Sequence, residues 1–119
     1  MPRAVDGTRR KDRRKKITSQ TKGYWGRRKN LFRTAKDALE KSQNYAYRDR
    51  KVRKREFRRL WIARISAACR PMGITYSRFI EGLTKANVHI DRQVISNMAI
   101  EDPDAFAALV DTAKANSTT

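Results

Sequence analysis

The first seventy residues of this 119-residue chain hold 25 Lys and Arg against 6 Asp and Glu, whereas residues 71–119 hold 4 against 6, so the two parts carry +19 and −2. Like charge at that density opposes any compact state that lacks a polyanionic partner. Two regions with different physics are therefore expected, and only the second has the composition of an independent globule. A chain this short supports one compact domain at most. Cys69 is the sole cysteine, which excludes an internal disulfide framework and fits a reducing compartment. No run nears the ~18 consecutive apolar residues of a membrane span, and no apolar segment follows the basic N-terminus as in a secretory signal. Asp6 and Asp12 also distinguish that N-terminus from an acid-poor organelle presequence, so it reads as mature protein.

Residues 1–16 offer little beyond Val5 to bury, which predicts a disordered arm. Tyr24 and Trp25 lie between Gly23 and Gly26, where a bend that presents aromatic faces is expected. From Leu31 no Gly or Pro occurs until Pro71, a composition that permits one helix of about forty residues, about 60 Å long. Phe32, Ala35 and Leu39 form a stripe too thin to pack a core. Further on, Phe57, Trp61, Ile65, Ala68 and Met72 recur at steps of three and four, flanked by Leu60, Ile62 and Cys69, as a buried helical face does. Pro71-Met72-Gly73 breaks the helix. Thr75, Asp91 and Asp102 then stand as N-caps for three short helices, the last opening on Pro103. Their apolar faces are Tyr76, Phe79, Ile80 and Leu83; then Val94, Ile95, Met98 and Ala99; then Phe106, Leu109, Val110 and Ala113. The polar tail from Asn116 is expected to fray. The fold class that follows is all-α: a long basic helical extension over residues 1–56, then a small four-helix globular domain over 57–119.

At 100° per residue, the eight basic side chains of residues 48–59 cover about two-thirds of the helix circumference. The remaining sector, roughly 20–140° from Arg48, holds Asp49, Val52 and Glu56. A helix lying on one flat surface needs charge on one face only. Charge spread this widely fits a helix threaded between several phosphate backbones, as in folded RNA, or inserted into a groove. The candidate contacts are Arg3, Arg9, Arg10, Arg13, Arg14, Lys15 and Lys16 in the arm, and Lys22, Arg27, Arg28 and Arg33 around the bend. Along the helix they are Arg48, Arg50, Lys51, Arg53, Lys54, Arg55, Arg58, Arg59 and Arg64. Arginine forks pair bidentately with phosphate and stack on unpaired bases, and Tyr24, Trp25, Tyr45 and Tyr47 add stacking faces, which favours RNA over smooth duplex DNA. Tyr45 and Tyr47 serve equally well as packing residues. Trp61 shares its stripe with Ile65 and Ala68, so a core role outweighs base stacking.

In the acidic part, Arg78, Lys85 and Arg92, close to Ser77 and Asn87, mark a second, smaller contact surface, although isolated surface cations are the commoner state of such residues. His89 has no partner at metal-ligand spacing. Glu101, Asp102 and Asp104 are accounted for by capping and a helix N-terminus. Cys69 lies on the core stripe with no base near it in sequence, so nucleophilic chemistry lacks support. No active site, metal site or cofactor site is expected, and the chain is not read as an enzyme.

Several strings, in order along nearly the whole chain, resemble one family. They are Lys22-Gly23-Tyr24, Tyr45-Ala46-Tyr47-Arg48-Asp49-Arg50, Arg53-Lys54-Arg55, Phe57-Arg58, Leu60-Trp61-Ile62-Ala63-Arg64-Ile65, Tyr76-Ser77-Arg78-Phe79-Ile80, Gly82-Leu83, Ile90-Asp91-Arg92 and Phe106-Ala107-Ala108-Leu109-Val110. On these the chain is similar to the bacterial-type large-subunit ribosomal protein L-twenty family. The resemblance implies a basic helical extension that penetrates the large-subunit ribosomal RNA, a helical C-terminal domain on the RNA surface, and a role early in subunit assembly. It implies a cytoplasmic ribosomal location, neighbouring large-subunit proteins as partners and no homo-oligomer in the ribosome. In some members the domain also binds the leader of its own messenger RNA and represses translation. Carried over by position, RNA contact falls on Lys22, Gly23, Tyr24, Arg48, Arg50, Arg53, Lys54, Arg55, Arg58 and Arg64, and in the domain on Ser77, Arg78 and Arg92. Asp6 and Asp12 interrupt an arm that is usually more uniformly basic, and Trp25 stands where Tyr is common.

Three rival classes make different demands. A DNA-compacting chromosomal protein would bind duplex DNA and folded RNA alike. An RNA-processing enzyme needs a nucleophile, metal cage or cofactor loop that no motif supplies. A membrane-surface helix needs a broad apolar face opposite its charge, which residues 48–59 lack.

Overall fold

A computed structural model describes residues 7–117 of the chain, and every regular element among them is helical. Helix α1 spans Thr8–Gln20, α2 Phe32–Cys69, α3 Tyr76–Lys85, α4 Arg92–Glu101 and α5 Pro103–Asn116, with single 3-10 turns at Gly26–Lys29 and Arg70–Met72. The chain divides into two compact units between Lys51 and Val52. Helix α2 runs through that division as one element of 38 residues.

The expected disorder of residues 1–16 does not describe the segment from Thr8, which is helical. Burial and local propensity are separate matters. Arg and Lys are good helix formers, and the glycines at 7 and 23 fall outside the helix, so nothing local interrupts it although it buries no residue. The remainder of that expectation, at residues 1–6, lies outside the described residues, as does Arg3.

In the first unit, Thr21 and Ala35 are fully buried. The Thr21 hydroxyl donates to the Lys29 carbonyl at 3.3 Å, which ties the end of α1 to the turn before α2. The Arg14 guanidinium lies 5.6 Å from the centre of the Phe32 ring. The stripe of Phe32, Ala35 and Leu39 thus supports a local seam, with Ala35 buried and the other two half-buried.

The second unit contains the core: Ile65 and Cys69 from α2, Ile74, Phe79 and Leu83 around α3, Ile95 from α4, and Phe106, Val110 and Ala113 from α5. Helix α3 packs most closely on α5, where the Phe79 and Phe106 rings meet at 5.6 Å between centroids. The caps stand where the sequence puts them. Thr75 accepts from the Arg78 amide, Asp91 from Arg92 and Asp102 from Ala105. Gly73 closes the Pro71 turn at φ +73°, and Asn87 follows α3 at φ +58°, the left-handed conformations that end helices.

The apolar stripes reach less far than their periodicity suggests. Phe57 and Leu60 are exposed, and Trp61 is half-buried without joining the core cluster. The core role expected for Trp61 is therefore corrected. Val94 is likewise exposed, while its neighbour Ser96 is buried instead. Periodicity identifies residues that share a face; a covering element decides whether that face is dry.

Candidate nucleic-acid interface

Three groups of exposed basic side chains follow from this framework. The first belongs to α1 and the bend. Arg9, Arg10, Arg13, Arg14, Lys15 and Lys16 are all exposed on α1, as are Lys22, Arg27, Arg28 and Arg33 beyond it. Gly23 and Gly26 adopt φ of +87° and +62°, conformations that strain other residues, so the bend between helices depends on them. Between them Trp25 is 86 % exposed. The Tyr24 hydroxyl instead donates to Ser42 Oγ at 2.9 Å and fixes the bend to α2. Tyr24 is thus held by the protein through its polar tip, and Ser42, which no sequence pattern marked, is the residue that holds it.

The second group is α2 between residues 43 and 60, where every residue except Val52 is exposed. Arg48, Arg50, Lys51, Arg53, Lys54, Arg55, Arg58 and Arg59 all face outward here, and Arg64 is exposed one turn further on. Tyr45 and Tyr47 stand outside the core, Tyr45 lining a shallow pocket with Tyr24 and Arg28 of the bend. They are 46 % and 58 % exposed, and cations of the same helix lie over their rings: Arg48 at 4.5 Å and Lys41 at 5.7 Å from Tyr45, and Lys51 at 4.4 Å from Tyr47. Helical spacing of three and four residues produces these pairs. Arg48 also donates to Asp49 from Nε at 2.8 Å and from Nη2 at 3.3 Å. That hydrogen bond holds the Asp49 carboxyl below its ordinary range and the Arg48 guanidinium above its own, so this one cation is already compensated.

The third group adjoins the globular core. A cleft of about 740 Å³ is lined by Phe57 and Trp61 of α2 and by Gln93 and Asn97 of α4. Arg53, Lys54, Arg55, Arg58 and Arg64 also line it, with no acidic residue among them. The two rings lie 6.1 Å apart and tilted by 35°. Gln93 and Asn97 occupy one face of α4 at a spacing of four; sequence reasoning missed them because nothing local tells which helix that face meets.

The smaller surface expected in the acidic part is constrained by internal partners. Arg78 and Lys85 both reach Glu81, at 3.6 and 2.8 Å. Arg92 is half-buried and donates from Nε to the Tyr76 hydroxyl at 2.9 Å, whereas Ser77 is exposed. His89 Nε2 lies 3.0 Å from Asn87 Oδ1 on the surface. Cys69 is buried, and burial pushes its thiol up to about 11, the opposite of what a nucleophile requires.

What these surfaces do chemically is present cations and ring faces to solvent over most of one long helix. Among the described residues no group of three His, Cys, Asp or Glu could hold a metal ion, and no helix is long and apolar enough to cross a membrane. Sequence comparison adds the family. The chain is 56 % identical over 115 residues to the large ribosomal subunit protein bL20 of Leptothrix cholodnii, covering 97 % of this chain and 98 % of that one. It is 58 % identical over 110 residues to the protein of the same name from Borreliella burgdorferi, covering 92 % and 96 %. With that of Natranaerobius thermophilus it shares 57 % over 114 residues, covering 96 % and 97 %. The family described as Ribosomal protein L20 matches residues 3–109, and on this breadth of agreement the chain belongs to that family.

Proposed function

We propose that the chain is a non-catalytic structural constituent of the large ribosomal subunit, in the cytoplasmic ribosome, and that it binds large-subunit ribosomal RNA directly through the basic surfaces of α1, the bend and α2. The observation that carries this reading is the bare stretch of α2 from residue 43 to 60, which buries almost nothing in the protein and exposes cations around most of its girth. Phosphate contact offsets the mutual repulsion of those cations and the entropy lost in ordering them. Specificity then derives from RNA shape more than from base edges.

Within this reading the extension of residues 1–56 supplies most phosphate contacts, and the domain of 57–119 anchors the chain beside neighbouring ribosomal proteins. Of the smaller candidate set, Ser77 and Arg78 are the accessible contact points, Arg78 through a loose surface pair with Glu81, whereas Arg92 is half-buried and held by Tyr76. Promotion of early subunit assembly follows if the helix and the RNA order one another. Binding to the protein's own messenger leader is a further reading carried by the family resemblance alone.

The test is sedimentation of purified chain with large subunits, together with titration of large-subunit ribosomal RNA and duplex DNA at one salt concentration. Cosedimentation and a clear RNA preference are expected. Equal affinity for DNA and RNA, with no association with the subunit, overturns the reading in favour of a chromosomal protein.

A further inference from the structure

Phe57 and Trp61 contribute nothing to the buried core cluster. They lie one turn apart on α2, outside the core cluster, with Phe57 47 % exposed, in a cleft whose lining is mostly apolar. Exposed aromatic rings are costly unless something covers them. Five basic side chains and no acidic one share the cleft, so its occupant carries negative charge. The amides of Gln93 and Asn97 offer paired donors and acceptors beside the rings. An apolar face, anionic character and hydrogen-bonding edges occur together in a nucleotide whose base is not paired. A duplex presents its phosphates but keeps its base faces stacked.

We propose that the cleft between α2 and α4 receives an unpaired nucleotide of RNA, its base laid against Trp61 and Phe57, its phosphates met by the arginines of α2, and its edge read by Gln93 and Asn97. This rests on the RNA-binding function proposed above and adds to it one site that reads single-stranded RNA, which shares Arg53, Lys54 and Arg55 with the extension and is set apart by Phe57, Trp61, Gln93 and Asn97. The cleft volume of about 740 Å³ is ample for a nucleotide and its flanking phosphates.

The chain has two tryptophans, so Trp25→Phe leaves Trp61 as the sole indole reporter. Full-length Trp25→Phe protein would be titrated with an oligouridylate of about twelve nucleotides and with an RNA duplex of about the same length. The expected result is quenching of Trp61 emission by the single strand and little change with the duplex. In the same background, with affinity read from the anisotropy of end-labelled RNA because these variants carry no indole, Trp61→Ala lowers single-strand affinity roughly tenfold or more while duplex affinity stays within about twofold, and Trp61→Phe restores part of the loss. The double variant Gln93→Ala/Asn97→Ala alters two exposed side chains, leaves the fold intact and lowers the single-strand preference independently of any effect of Trp61 on stability. If both RNAs bind and Trp61 emission is unmoved, the cleft does not take a base, whereas the extension still binds RNA. If emission responds only when a neighbouring ribosomal protein is added, the occupant is protein and the proposal is overturned. If neither RNA binds, both this site and the broader function fail.

Discussion

At Gly82 the fold tolerates no side chain. A methyl group built there would fall 2.7 Å from the Cα and carbonyl carbon of Ala113, and nearer still to its oxygen, all of them backbone atoms that cannot swing aside. Gly82→Ala is expected to cost about 3 kcal/mol through overpacking between α3 and α5, read as a fall in the urea midpoint. Ser96 makes the opposite case. Its hydroxyl is buried and has no hydrogen-bond partner among the described residues, so Ser96→Ala is expected to stabilise the domain by about 1 kcal/mol. Cys69 offers a pH test. Burial raises its thiol from an ordinary value of 9.0 to about 11, so the fold favours the neutral form. The stability this confers is complete below the unfolded value and is lost as pH rises through the folded one. Alkaline melts should therefore show a steeper loss between pH 9 and 11 in the native chain than in Cys69→Ala, and iodoacetamide at pH 8 should label native protein much more slowly than urea-unfolded protein. Gly82 and Ser96 were not legible in the sequence, where a mid-helix Gly or Ser only weakens a propensity. Cys69 was legible, because it lies on the stripe with Ile65.

Elements are where local chemistry is decisive. Thr75, Asp91 and Asp102 each satisfy an amide that no helical carbonyl can reach, and Pro103 sits in the first turn of α5, where its missing N–H costs nothing. Asp102→Ala is expected to destabilise the domain by about 1 kcal/mol in thermal or urea unfolding. These caps and the 38-residue span of α2 could be read from the chain because they depend on residues within one turn of each other. The same locality explains the error at α1. Its lack of apolar residues suggested disorder, yet Thr8–Gln20 is helical: Arg and Lys are good helix formers, no Gly or Pro interrupts the run, and Thr21 ties its end to Lys29.

For the whole molecule, the division of charge governs behaviour. With +17 overall, affinity for RNA should fall steeply with salt. The triple variant Arg50→Gln/Arg53→Gln/Arg55→Gln is expected to reduce the slope of log K against log salt by roughly 2 to 3 without shifting the unfolding midpoint, because these side chains are exposed and unpacked. The sequence by itself determined the helical class, the helix ends and the placement of positive charge, since each of these depends on neighbours along the chain or on simple addition of charges. Only the tertiary structure decided that the stripe from Phe57 to Met72 becomes dry at Ile65, that Gly82 must be bare, and that Gln93 and Asn97 line a cleft with Trp61. These outcomes depend on which helix lies against which, and a residue's own periodicity carries no record of what covers it.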